Sequence, residues 1–273
     1  MLRSFILGLS LIFGATALTA QSNGSALISL EDRYATEGWE AVGRLDIGRH
    51  GSFCTATLIR DRLLLTAAHC VYNDGGELRS PDELTFRAAL RNGRAEATRD
   101  IVRIVPHPSF EPEDELISIK NIATDIAVLE LAQAIRLSSV QPFPISSRPR
   151  RGDEVAVVSY GRDREAAPSL QKSCNILTRL RGTVVMNCDI VKGSSGSPVF
   201  KVENGRTAIV SVVSASAIDS DTPVSYGTSL QEPLQTLLAE FAARGPARPG
   251  GTQRLMLSGE RNDTGARFVR VGE

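Results

Sequence analysis

The 273-residue chain is poor in the groups that cofactor, metal and nucleic-acid sites are built from. It carries three histidines and one tryptophan, and aromatic residues make up 5% of it, which leaves no stacking platform for bases. Lys and Arg together number 31, as do Asp and Glu, so the formal charge is zero. That balance removes the electrostatic case for nucleic acid or an anionic membrane surface as a partner. No Cys-x-x-C pair occurs, and with so few histidines a metal site is not expected; neither is a cofactor. After the first 20 residues no stretch reaches the ~18 uninterrupted apolar residues of a membrane span, so none is expected in the mature chain. The 23 glycines and 13 prolines are in ordinary proportion and give no sign of disorder. The length suits one large domain or two small barrels sharing a cleft.

What is present begins with a leader. Arg3, an apolar run over residues 5–13 and small residues up to Ala20 read as a secretory signal cut after Ala20, with Ala17 as the alternative. A secreted or periplasmic protein is expected, and its four cysteines then imply two disulfides. Three pairings are possible. Cys54 and Cys70 flank one strand, and Cys174 and Cys188 flank a hairpin, so Cys54–Cys70 with Cys174–Cys188 is the economical choice. Each loop of that size would stabilise by about 3 kcal/mol.

Residues 21–37 form a polar lead-in expected to be irregular. Short apolar runs then recur over 41–47, 52–59, 62–67, 83–90, 94–105 and 126–131, separated by turn residues. A Ser/Pro-rich junction covers 137–150. A second series follows over 154–161, 170–180, 182–186, 197–202, 208–214 and 226–230. This is the pattern of an all-β protein of barrels. Residues 233–241 have helical spacing of apolar positions, and Gly245-Pro246 stops them. The tail, 244–273, is charged, with one further strand expected near 267–271.

Three motifs carry the chemistry. His69 lies in Leu65-Thr66-Ala67-Ala68-His69-Cys70. Asp125 leads into the apolar run 126–131. Ser195 lies in Gly193-Ser194-Ser195-Gly196-Ser197-Pro198. A serine hydroxyl is protonated at neutral pH and needs a base to act as a nucleophile; a histidine supplies one, and a buried carboxylate orients it. The two competing histidines, His50 in a turn and His107 in Val105-Pro106-His107-Pro108, have no such context.

The order His69, Asp125, Ser195 resembles the trypsin-like, chymotrypsin-fold serine endopeptidases, over about residues 38–243. The Gly-x-Ser-Gly-Ser-Pro stretch points to their bacterial V8-like branch. The resemblance implies two six-stranded antiparallel β-barrels with a C-terminal helix packed on the second, the catalytic triad His69–Asp125–Ser195, and no cofactor. It implies an oxyanion hole from the backbone N–H groups of Gly193 and Ser195, and it supports the Cys54–Cys70 bridge. The expected substrate is a polypeptide, cleaved by a monomer through an acyl-enzyme. The alternatives are a catalytically silent homologue that binds proteins, or an esterase with the same triad.

Two departures qualify the likeness. Relatives that are activated by cleavage carry an Asp before the nucleophile, which pairs with a new N-terminal ammonium; this chain has Ser194, so that switch is not expected. Asp189, six residues before Ser195, stands where trypsin-like members bind Arg or Lys side chains, while no histidine follows His107 to serve glutamate. Ser211 or Ser214 is expected to lie on the strand that pairs with substrate. The acidic loop Asn73, Asp74, Glu77, Asp82 and Glu83 matches no calcium-loop spacing and reads as solvated, as does the 111–115 stretch.

Overall fold

The computed structural model describes residues 24–48, 51–112, 118–146, 149–219 and 222–245. The leader, His50, most of the 111–115 stretch and the strand expected at 267–271 lie outside the described residues.

A short strand, β1 (Leu27–Ser29), and a one-turn helix, α1 (Arg33–Thr36), come first. The first barrel follows: β2 (Val42–Ile47), β3 (Ser52–Arg60), β4 (Leu63–Thr66), β5 (Leu84–Ala88), β6 (Ala97–Pro106) and β7 (Ala127–Leu131). Their antiparallel order β2-β3-β4-β7-β6-β5 closes on itself. In β5 the alternation is plain: Leu84, Phe86 and Ala88 are buried, while Thr85 and Arg87 between them are half-exposed.

The second barrel is built from β8 (Glu154–Ser159), β9 (Ser169–Leu180), β10 (Thr183–Met186), β11 (Pro198–Glu203), β12 (Arg206–Asp219) and β13 (Thr222–Ser229). Their order β9-β10-β13-β12-β11-β8 is closed by the pairing of β8 with β9. Both barrels therefore have the six antiparallel strands expected from the sequence, and both local disulfides, Cys54–Cys70 and Cys174–Cys188, are formed.

Trp39, Phe143 of the junction and Phe200 of β11 stack in the seam between the barrels, with ring centroids 4.5–6.0 Å apart. The lone tryptophan thus spends its apolar surface on joining the two halves.

Two expectations change. The lead-in is not irregular: β1 pairs with β9, Leu27 opposite Gln171 and Ser29 opposite Ser169. Ser25 exchanges backbone and side-chain bonds with Ser173 and Gln171, and Leu30 is 1% exposed. Only three residues of β1 pair, too few to show a period in the sequence. The C-terminal helix α3 (Gln231–Ala243) leaves the second barrel but packs on the first. Leu234 and Leu237 join the first barrel's core, and Arg103 of β6 lies 3.5 Å from the Phe241 ring centroid while donating to the Phe241 carbonyl.

Docking of the lead-in yields a first prediction. A chain beginning at residue 24 is expected to unfold like the longer one. Leu30→Ala in that chain should lose ~2–5 kcal/mol in urea unfolding, the usual cost of emptying a buried leucine site. A loss below about 0.5 kcal/mol would show that the segment adds nothing to the fold.

Candidate active site

His69 sits on a single 3-10 turn, Ala68–Val71, that follows β4 directly. The strand before it is entirely buried, so the chain leaves the barrel floor at a fixed point. Cys70 then ties the turn back to Cys54 on β3. The two sulfurs and the His69 ring come within 4.8 Å of one another, but both sulfurs are taken by the disulfide and offer no thiolate to a metal.

Asp125 ends a tight turn after helix α2 (Ile119–Ile122), with Ile126 between it and the start of β7. It is 3% exposed, and a carboxylate so placed is costly unless it is bonded. It has three donors. His69 Nδ1 lies 2.7 Å from Oδ2, the His69 backbone N–H donates to Oδ1 at 2.9 Å, and the Ser214 hydroxyl donates to Oδ2 at 2.5 Å. Burial alone would raise the Asp125 pKa; the charge and hydrogen bonds of His69, with help from Ser214, reverse that and hold it below the ordinary value. Burial likewise pulls His69 down, and Asp125 overcomes it, leaving the imidazole above its ordinary 6.5. The ring is nevertheless 39% exposed, open to an incoming ligand.

Ser195 stands on the loop between β10 and β11, and the first barrel holds that loop. The Thr55 backbone N–H donates to the Ser195 carbonyl at 2.8 Å, and the Thr55 hydroxyl donates to the Gly193 carbonyl at 3.0 Å. Gly193 has φ +94°, and a Cβ there would meet the Phe53 ring at 2.3 Å. Gly196 has φ +79°, and its Cβ would fall 2.2 Å from the Thr55 carbonyl and 3.0 Å from the Ala67 nitrogen. Only glycine lets the serine loop come this close to the histidine turn. Of the three neighbouring serines, Ser194 and Ser197 are fully buried and Ser195 is partly exposed.

The fastening is reciprocal. Thr55 of the first barrel grips the serine loop, while Ser214 and Thr228 of the second grip the aspartate: the Thr228 hydroxyl donates to the carbonyls of Ile122 and Asp125.

The remaining candidates are scattered. Ser214 is at the site, but through its bond to Asp125. Ser211 is buried and donates to the Thr228 carbonyl, inside the barrel wall. Asp189 is exposed, its backbone N–H bonded to the Gln171 side chain, and its charge acts on the half-buried guanidinium of Arg164. His107 lies apart and is buried, its Nδ1 accepting from the Ser109 N–H, and burial lowers its pKa. The acidic loop satisfies itself: Asn73 Oδ1 accepts from the N–H groups of Gly75 and Glu77, and Glu83 pairs with Arg79. Sequence reading missed Thr55 and Arg164. Nothing local marks a threonine inside a strand or an arginine inside a loop as a partner of residues 30 to 140 positions away.

The model of the Trypsin family matches residues 31–229. The chain belongs to the trypsin family. Among its relatives are granzyme C of Mus musculus, 30% identical over 43% of this chain and 44% of the granzyme, and serine protease SP24D of Anopheles gambiae, 29% identical over 74% of this chain and 68% of SP24D. Chymotrypsin-like elastase family member 1 of Bos taurus is 29% identical over 59% of this chain and 67% of its own. The match to granzyme C thus spans less than half of that protein. These trypsin-family relatives are animal proteins, and neither the V8-like branch nor a bacterial origin expected from the sequence finds support in them. The short Gly-x-Ser-Gly-Ser-Pro stretch had been the ground for that branch.

Proposed function

We propose that this trypsin-family protein is an exported serine endopeptidase with Ser195 as nucleophile, His69 as base and Asp125 as its orienting carboxylate. The observation that carries the reading is the buried Asp125 carboxylate bonded to both the ring and the backbone of His69, beside a serine loop pressed against the same turn. An imidazole held this way keeps its proton on Nδ1 and leaves Nε2 free to accept the proton of Ser195. The alkoxide forms as the hydroxyl oxygen attacks the scissile carbonyl; His69 then gives the proton to the leaving amine, and water repeats the sequence on the acyl-enzyme.

Among the described residues the Ser194 and Gly196 N–H groups bond within the protein, to the Val191 and Val213 carbonyls, whereas those of Gly193 and Ser195 take no internal acceptor. They are the donors we assign to the oxyanion, each worth roughly 3–4 kcal/mol in the transition state. Two disulfides and the leader support an extracytoplasmic location. The leading test treats residues 24–273 with a fluorophosphonate and maps the adduct. Phosphonylation of Ser195, with turnover of a peptide library, supports the reading; an unlabelled protein with native disulfides would overturn it. Labelling with turnover of esters alone would leave an esterase.

A further inference from the structure

Beneath the serine loop lies a cation that the mechanism above does not use. Arg164 follows β8 and folds back under it. Its Nη1 donates to the Ser159 carbonyl at 2.9 Å and to the Ser159 hydroxyl at 3.2 Å. Its Nη2 donates to the Ser159 hydroxyl at 3.2 Å and to the Ser194 hydroxyl at 3.3 Å. Ser194 in turn donates toward the Tyr160 carbonyl at 3.2 Å. Ser194, Ser159 and Tyr160 are each at most 1% exposed, so this is an interior network. The guanidinium crosses directly over Gly161, where a Cβ would lie 2.7 Å from both Arg164 Cζ and Nε and from Val191 Cγ2. A second tie runs alongside, from the Arg162 N–H to the Lys192 carbonyl at 2.7 Å.

We propose that Arg164 is a positioning residue that holds Ser194, and with it the flanking N–H groups of Gly193 and Ser195, in the form that receives an oxyanion. The proposal rests on the catalytic reading above. Two peptide units separate those N–H groups, and the side chain between them is the one the guanidinium grips. A planar fork is suited to this, because it spans two hydroxyls and a carbonyl at once, whereas an ammonium is a point donor. Fixing the loop from inside the chain requires no newly cut terminus, which is consistent with Ser194 standing where an ammonium-binding Asp would be needed.

The test compares wild type with Arg164→Met, Arg164→Lys, Ser194→Ala and the Arg164→Met/Ser194→Ala double variant, each checked for native melting. Arg164→Met is expected to lower kcat on a peptide substrate ~100-fold with KM within about threefold, as misplaced donors cost transition-state rather than ground-state binding. Arg164→Lys should recover roughly tenfold of that loss, since one donor replaces a fork. Adding Ser194→Ala to Arg164→Met should change kcat by less than about twofold, because both act through one contact. A kcat within threefold of wild type for Arg164→Met, or losses that multiply in the double variant, would overturn the proposal. If Arg164→Met does not fold, Arg164→Lys decides: native melting with wild-type kcat overturns it, and a kcat about tenfold lower supports it. An inactive wild type sinks the peptidase reading, and the positioning role with it; an active wild type beside an unimpaired Arg164→Met sinks the positioning role alone.

Discussion

Ser195→Ala is expected to lower kcat on a peptide substrate by about 10⁴–10⁶-fold, measured with enough protein to exclude a trace of wild type. The substitution removes one oxygen and little else. The loop is held by its backbone: Thr55 donates to the Ser195 carbonyl, and Gly196 donates to that of Val213. Neither bond involves the hydroxyl. Stability should therefore change by less than about 0.5 kcal/mol, and KM should stay near that of wild type. Labelling by a fluorophosphonate should vanish. What survives is the contribution of the oxyanion donors and of substrate positioning, which act on a water attacking the same carbonyl. A fall of less than tenfold would move the nucleophile elsewhere. Ser194 and Ser197 are the adjacent hydroxyls, and both are buried, Ser194 already bonded beneath the loop.

The parts of this molecule legible in its sequence are those with a short period or a fixed local chemistry. Strands such as β5 announce themselves by alternation, α3 by the spacing of Leu234, Leu237, Leu238 and Phe241, and the glycines at 193 and 196 by the turn between them. The bridges Cys54–Cys70 and Cys174–Cys188 followed from proximity in the chain. What was not legible depends on distant partners. β1 is a strand because the first residues of β9, Ser169–Gln171, extend beyond its pairing with β10, not because β1's own residues form a pattern. The side on which α3 lies is set by Arg103 and the first barrel's surface. Ser214 and Ser211 stand three residues apart on one strand, with a shift in the pairing register between Val213 and Ala215; Ser214 bonds to Asp125, while Ser211 bonds to the Thr228 carbonyl. The branch of the family expected from the sequence finds no support in the animal relatives for a related reason: a six-residue stretch around Ser195 reports local turn geometry, which different branches can share, and says little about descent.

Asp125→Asn is the second large effect, and its cause is a matter of which atoms can accept. Three donors meet the carboxylate: the His69 backbone N–H, which can only donate, the Ser214 hydroxyl, which can also accept, and His69 Nδ1, which can do either according to its tautomer. An amide has one accepting oxygen. It will stay on the backbone N–H, and the NH₂ will face Ser214 and Nδ1. The imidazole must then accept at Nδ1 and carry its proton on Nε2, the atom that should receive the proton of Ser195. The expected loss is about 10⁴-fold in kcat/KM near pH 7, with the loop and the disulfides unchanged. The pH profile gives a second reading. In the wild type the charge of Asp125 outweighs burial and raises His69, so activity should climb with pH through a value above the ordinary 6.5. Without that charge burial acts unopposed and lowers the pKa, so the acid limb of kcat/KM should move to lower pH while the plateau falls. A variant with a lowered plateau but an unmoved acid limb would mean that His69 is not the group whose protonation the profile reports.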